Sequence, residues 1–210
     1  MKSHYLLLLM VLLSVSLSAQ ENGKDAVVAL PNMNVLYAGI SNPVQIAVPG
    51  VTSDKVTATI TNGSINKTSN GWEIKPSNVS GTVILTVLVN NQKVSEKTFR
   101  VKPISIPFAV IAGKGAGVVS KNELIKAGEI GTEMKDFLWD LKFEIKSYNF
   151  LYSENGNNKE ISATGNKLTD EMKSIISNLQ SGKDVIFKDI KAIGPDSRIH
   201  DISPIILAIN

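Results

Sequence analysis

The sequence predicts a mainly β protein: an N-terminal immunoglobulin-like β-sandwich, then a second α+β domain that is mostly antiparallel β with two short helices. Three observations carry this reading. Between Ala26 and Lys102, short apolar runs are separated by Asn62-Gly63, Asn70-Gly71 and Asn90-Asn91, dipeptides suited to tight hairpins, and no helical period intervenes. Pro103 and Pro107 then interrupt the pattern, each fixing its own φ and biasing its predecessor away from helix. Beyond them, two capped helical segments sit among further alternating runs.

Taken in order, Lys2 and His4 precede an apolar run from Tyr5 to Leu13, followed by the small residues Ser14, Ser16, Ser18 and Ala19. That is the three-part pattern of a secretory signal peptide over residues 1–19. The apolar core is shorter than the roughly 20 residues that span a bilayer, so the expectation is cleavage and export with no membrane insertion afterwards. With no cysteine in the chain, acylation at the cleavage site and disulfides are both excluded.

Expected strands in the first domain, residues 26–102, are Val27–Leu30, Asn34–Tyr37, Val44–Val48, Lys55–Thr61, Ser64–Thr68, Trp72–Lys75, Thr82–Val89 and Val94–Val101. Val56, Ala58 and Ile60 alternate with threonines, the signature of one buried and one solvated face. Thr82–Val89 is apolar on both faces, which predicts a central strand covered on both sides. So many short strands in so few residues point to a sandwich, with Trp72 as its core aromatic. Residues 103–107 read as a proline-containing linker, and residues 108–210 as the second domain.

In that domain Ser120-Lys121-Asn122-Glu123 is a capping box that starts a helix ending before Gly128. Leu168–Leu179 is a second helix, with Thr169 as N-cap and Met172, Ile175, Ile176 and Leu179 on one face. Leu141, Phe143 and Ile145 mark one strand face, and at Ser147 the phase flips, so that Tyr148, Phe150 and Tyr152 occupy the face that carried the charges. A one-residue bulge near Ser147 returns them to the core; without it they form an exposed aromatic contact strip and are the candidate partner-binding residues. Asn155-Gly156 closes a hairpin onto Glu160–Thr164, and Asp184–Ile193 and Ile202–Ile209 complete an antiparallel sheet around the Gly194-Pro195-Asp196 turn.

Composition narrows function. The formal charge of +3 becomes +2 once Lys2 is removed; residues 21–102 hold eight basic and five acidic side chains, and residues 103–210 thirteen and fourteen. Neither half is the basic, aromatic-interleaved stripe that nucleic acid requires. Gly113-Lys114-Gly115-Ala116-Gly117 has neither P-loop nor dinucleotide spacing and reads as a turn. Asp136 with Asp140, and Asp184 with Asp189, lie beside lysines and read as solvated ion pairs, not as glycosidase or calcium carboxylates. His200 beside Asp201 lacks a nucleophile elbow. The sequons at Asn62, Asn66 and Asn78 sit in hairpins, where turn chemistry accounts for them. No catalytic residue, metal ligand or cofactor is assigned. Unpaired sheet edges remain as a further contact surface, open to a second copy or to strand addition.

Met33-Asn34-Val35-Leu36-Tyr37, Gly39, Asn42-Pro43, Val48-Pro49-Gly50-Val51 and Lys97-Thr98-Phe99-Arg100-Val101 resemble the third domain of the GldM/PorM family. Asp140-Leu141-Lys142-Phe143, Gly165-Asn166-Lys167-Leu168-Thr169, Phe187-Lys188-Asp189-Ile190 and Gly194-Pro195-Asp196, leading to Arg198 and Pro204, are similar to that family's C-terminal domain. The resemblance implies a periplasmic, dimeric, rod-like subunit of the type IX secretion and gliding apparatus of Bacteroidetes. Where that subunit carries an N-terminal transmembrane helix and two further periplasmic domains, this sequence reads as a signal peptide. The resulting expectation is an exported, periplasmic, non-enzymatic protein-binding or assembly module, an accessory or paralogous partner of that apparatus. Its partners would be envelope proteins, with a homodimer possible. The alternative is a secreted, extracellular adhesin or glycan-binding β-sandwich.

Overall fold

The computed structural model describes residues 33–135, 137 and 141–210. The expected signal peptide over residues 1–19, the expected strand Val27–Leu30, Asp136 and Asp140 lie outside the described residues. The described chain is mostly β, with two hydrophobic cores.

The first core is enclosed by seven strands: β1 (Val35–Tyr37), β2 (Asn42–Val44), β3 (Val56–Ile60), β4 (Gly63–Thr68), β5 (Gly71–Pro76), β6 (Gly81–Val89) and β7 (Gln92–Lys102). They form two sheets, β1-β7-β6-β3 and β2-β5-β4, the partition of an immunoglobulin-like sandwich. Leu36, Val56, Trp72, Ile74, Val83, Leu85, Val87 and Val101 fill the space between them. The β6–β7 hairpin turns at Asn90 and Asn91, both with positive φ (49° and 63°), as the mirror-image turn of a twisted hairpin demands. β6 is central as expected, but its second face is covered only by neighbouring side chains. Ile84 lies opposite Thr98 and Leu88 opposite Thr57, and both apolar residues stay half-buried.

β2 begins two residues earlier than the apolar pattern predicts, and the cause is Asn42. Its side chain is 3% exposed. The amide donates to the carbonyls of Tyr37 (2.9 Å), Ile40 (2.9 Å) and Ile74 (3.2 Å), while Oδ1 accepts the Tyr37 N–H at 2.7 Å. One side chain thus closes the turn from β1 to β2 and ties it to β5. A buried amide is tolerable only when its hydrogen-bonding capacity is used in this way.

The second core is built from β8 (Phe108–Val110), β9 (Ala116–Val119), α1 (Lys121–Ala127), β10 (Gly131–Glu133), β11 (Glu144–Glu154), β12 (Asn157–Thr164), α2 (Asp170–Asn178), β13 (Asp184–Ile193), β14 (Ile199–Ile202) and β15 (Ile205–Ile209). The main sheet runs β12-β11-β13-β15-β9 with β14 paired to β13, and β8 pairs separately with β10. Leu124 of α1 and Met172 and Ile176 of α2 enter the core against it. Both helices start as predicted. Ser120 and Glu123 exchange both bonds of a capping box, which holds the Glu123 carboxyl below its usual range, and Thr169 accepts the Met172 N–H at 3.2 Å. The sheet is not wholly antiparallel. β9, which the sequence did not reveal as a strand, pairs in parallel with β15, and the expected run from Ile202 to Ile209 is broken at Ser203-Pro204 into the end of β14 and β15.

The aromatic stripe lies inside. Register against β13 shifts on either side of Ser147, with one extra residue on β11 and then one on β13, where Asp189 takes φ 52°. This reverses the face on both strands, so Phe143 and Ile145 before the shift and Tyr148, Phe150 and Tyr152 after it all point into the core. An exposed aromatic contact strip is therefore corrected to core packing, with Phe150 and Phe187 at 5.2 Å and Phe150 stacked on Tyr152 at 5.5 Å. Tyr148 satisfies its hydroxyl by donating to the Lys167 carbonyl at 2.7 Å, and burial pushes its ionisation up to about 12.

Two measurements check this packing. Asn42→Ala strands three carbonyls and one amide, and is expected to lower unfolding free energy by about 3 kcal/mol in denaturant titration; a change within error would mean that water replaces the amide. For Tyr148, the folded state keeps a proton that the unfolded chain releases near pH 10, so stability falls as pH rises from 10 to about 12. Tyr148→Phe is expected to cost about 1 kcal/mol at neutral pH and to flatten that alkaline loss; an unchanged alkaline slope would place its origin elsewhere.

Candidate functional site

The polar candidates raised by the sequence do not converge. His200 pairs with Asp196, not Asp201, its Nε2 lying 2.9 and 3.1 Å from the two carboxylate oxygens, and Asp201 pairs with Lys191. Asp184 is exposed at the start of β13, whereas Asp189 meets Asn149 at 3.1 Å and Lys188 at 3.7 Å. Among the described residues no three His, Cys, Asp or Glu side chains gather as a metal site. The glycine segment 113–117 is a turn, in which Ala112 and Gly113 have positive φ and Ile111 and Lys114 exchange both backbone hydrogen bonds at 3.0 Å. Asn62 precedes the first residue of β4 and Asn66 lies within it, while Asn78 closes its own turn by donating to the Ser80 carbonyl at 3.0 Å.

Among the described residues of the second lobe, hollows beside Glu154, Glu144, Asp184 and Glu133 are each lined by that one carboxylate. A glycosidase pair needs two facing acids, so none of these has the geometry for acid–base hydrolysis. The largest aromatic of the first sandwich, Trp72, is buried with the Lys67 ammonium 5.5 Å from its ring, so it offers no stacking platform to a sugar.

What the surface does present is apolar. The face of the main sheet opposite the helices carries a row set by register: Leu151 on β11 opposite Ile186 on β13, then Ile206 on β15, then Ala116 on β9. In the neighbouring row Ala208 lies opposite Val118. Ile206 is 49% exposed and Val118 56%. At the β9 end, Phe108 (51% exposed) shares a groove of about 450 Å³ with Gly115, Ala116 and Pro204, and the Lys135 ammonium lies 5.9 Å from its ring. At the opposite end the row stops at Glu160, which bonds Lys188 at 2.9 Å. An exposed apolar stripe beside charged residues is a feature that many protein contact surfaces share. The edge beside it is guarded, because the Lys114 ammonium caps the outward Val118 carbonyl at 2.9 Å.

Sequence reasoning missed this surface because its members come from four separate segments and meet only through cross-strand register. The one local signal was the run Ile205-Ile206-Leu207-Ala208-Ile209, apolar on both faces. Among the described residues no helix is long and apolar enough to cross a membrane.

Comparison with known proteins gives two family matches in tandem. Residues 25–102 match the GldM third domain and residues 102–210 match the GldM C-terminal domain. No curated protein matches the chain. Among solved structures, the chain is similar to the Yersinia pseudotuberculosis adhesin InvE at 12% identity, with 85% of this chain and 57% of the adhesin covered and a TM-score of 0.24. It is also similar to Dpr2 Ig1-Ig2 in complex with DIP-Theta Ig1-Ig3 at 8% identity, covering 84% of this chain and 93% of that one with a TM-score of 0.26. Superpositions this loose carry no argument about fold or function.

Proposed function

The chain belongs to the GldM family, structural subunits of the gliding and type IX secretion apparatus in its periplasmic part, and from that membership we propose that it is a non-enzymatic binding and assembly module of that machinery. In this reading it is exported to the periplasm through its N-terminal signal sequence and serves as an accessory or paralogous partner of the apparatus. It meets an envelope protein through the open face of the second lobe. The observation that carries the proposal is the apolar row Leu151, Ile186, Ile206 and Ala116, with the Phe108 groove at its end. Burying Ile206 and Val118 against a partner removes apolar area from water at roughly 25 cal/mol per Å², a gain neither residue makes while exposed.

The reading is tested by placing a charge in that row without touching the core. Val118→Asp combined with Ile206→Glu keeps both side chains in solvent in the isolated chain, so its melting temperature should stay near that of the parent. In the complex the same charges would be desolvated, and binding to the envelope partner should weaken by tenfold or more, since 1.4 kcal/mol suffices for that factor. Gliding and type IX secretion in cells carrying the folded double variant should fall accordingly. Normal gliding and secretion at normal protein level would count against this surface.

A further inference from the structure

Two short motifs from opposite halves of the sequence meet in space. Gly39 lies in the turn between β1 and β2, with φ 74°. A Cβ placed on it would fall 2.6 Å from Cβ and 3.2 Å from Cα of Asp196, in the turn between β13 and β14. Such distances are backbone-to-backbone contact, and no side chain larger than hydrogen fits without moving one turn off the other. The receiving turn is rigid: Ser197 N–H donates to the Gly194 carbonyl at 2.9 Å, and Gly194 N–H to the Arg198 carbonyl at 3.0 Å. Gly194 is itself enclosed, because an added Cβ would lie 2.8 Å from Phe143, 2.9 Å from Asp196 Oδ1 and 3.0 Å from His200.

The Asp196 carboxylate is held from two sides. It accepts the Arg198 N–H at 3.2 Å, and both its oxygens face His200 Nε2. The two side chains are only 8% and 15% exposed, and the His200 ring sits edge-on to Phe143 at 5.5 Å. Apolar contacts surround this seat on the first-lobe side. Ile40, next to Gly39, is buried in the second core together with Ile104, Tyr37 packs against that core, and the Tyr37 ring meets Phe137 at 5.0 Å.

We infer that Gly39 seated on the Gly194–Asp196 turn is an interlock between the two lobes, with His200 as the positioning residue that holds Asp196 in place, so that the lobes move as one stiff body. Rotation about residues 103–107 would have to lift Gly39 off Asp196 and draw Ile40 and Ile104 out of the second core, exposing apolar area to water. A stiff joint of this kind fits a part whose work is to hold a contact surface at a fixed distance and angle. The inference does not depend on which protein that surface meets.

Residual dipolar couplings from backbone amides in weakly aligned samples of the full chain test it, since each lobe reports its own alignment tensor. In the parent protein one tensor should fit amides of residues 34–102 and 108–210 together. Gly39→Val and His200→Ala should each give two tensors of different magnitude, while couplings within each lobe still fit the unchanged lobe structure. His200→Gln, which retains a donor near Asp196, should restore much of the shared tensor. Two unequal tensors in the parent would overturn the interlock, as would a single shared tensor in both Gly39→Val and His200→Ala. A His200→Gln variant as uncoupled as His200→Ala would overturn the positioning role of the imidazole. If Gly39→Val does not fold, His200→Ala and the parent decide the matter.

Discussion

Asn42 is the one residue of polar or charged type among the described residues that is buried, and the geometry of the first lobe follows from what its side-chain amide bonds. By taking up the Tyr37 N–H and the carbonyls of Tyr37, Ile40 and Ile74, it forces the chain to turn sharply between the two sheets. That turn sets Tyr37, Gly39 and Ile40 in the orientation that carries them onto the second lobe. An apolar residue at this position would leave four backbone groups to find water in a dry interior, which is the costliest outcome for a hydrogen bond. The amide therefore links sandwich closure to the joint between the lobes.

Elements whose signals are local were legible in the sequence. Both helices announce themselves through caps, because a serine or threonine oxygen and an acidic first turn satisfy donors that the helix leaves open. The bulge at Ser147 was readable from a change of phase, since a strand has only two faces and Tyr148, Phe150 and Tyr152 could return to the core only by an extra residue. What stayed hidden depends on distant pairing. β8, β9 and β10 span three or four residues each and carry no period long enough to read. The parallel pairing of β9 with β15 joins segments about ninety positions apart. The same limit hid the apolar row on the sheet face, whose residues are ordinary one at a time and become a stripe only through register.

Family membership and surface chemistry lead to the same kind of molecule from different directions. The family supplies a structural role within an envelope machine. The physical reading supplies two packed lobes, paired surface charges such as Lys188 with Glu160, and a row of apolar residues brought together by register on one sheet face. In the proposed role, specific recognition would come from shape, a desolvated apolar centre and a charged rim, and it would benefit from a surface fixed before the partner arrives, because less freedom is lost on binding.

The most direct measurement is photo-crosslinking in intact cells from single probes placed at Ile206, within the apolar row, and at Asn158, on the polar outer strand of the same sheet. A contact surface on this face predicts adducts with a protein of the gliding and secretion apparatus from the Ile206 probe and few or none from Asn158. Adducts from Ile206 only to extracellular glycans or host proteins, or equal labelling from both positions, would contradict it.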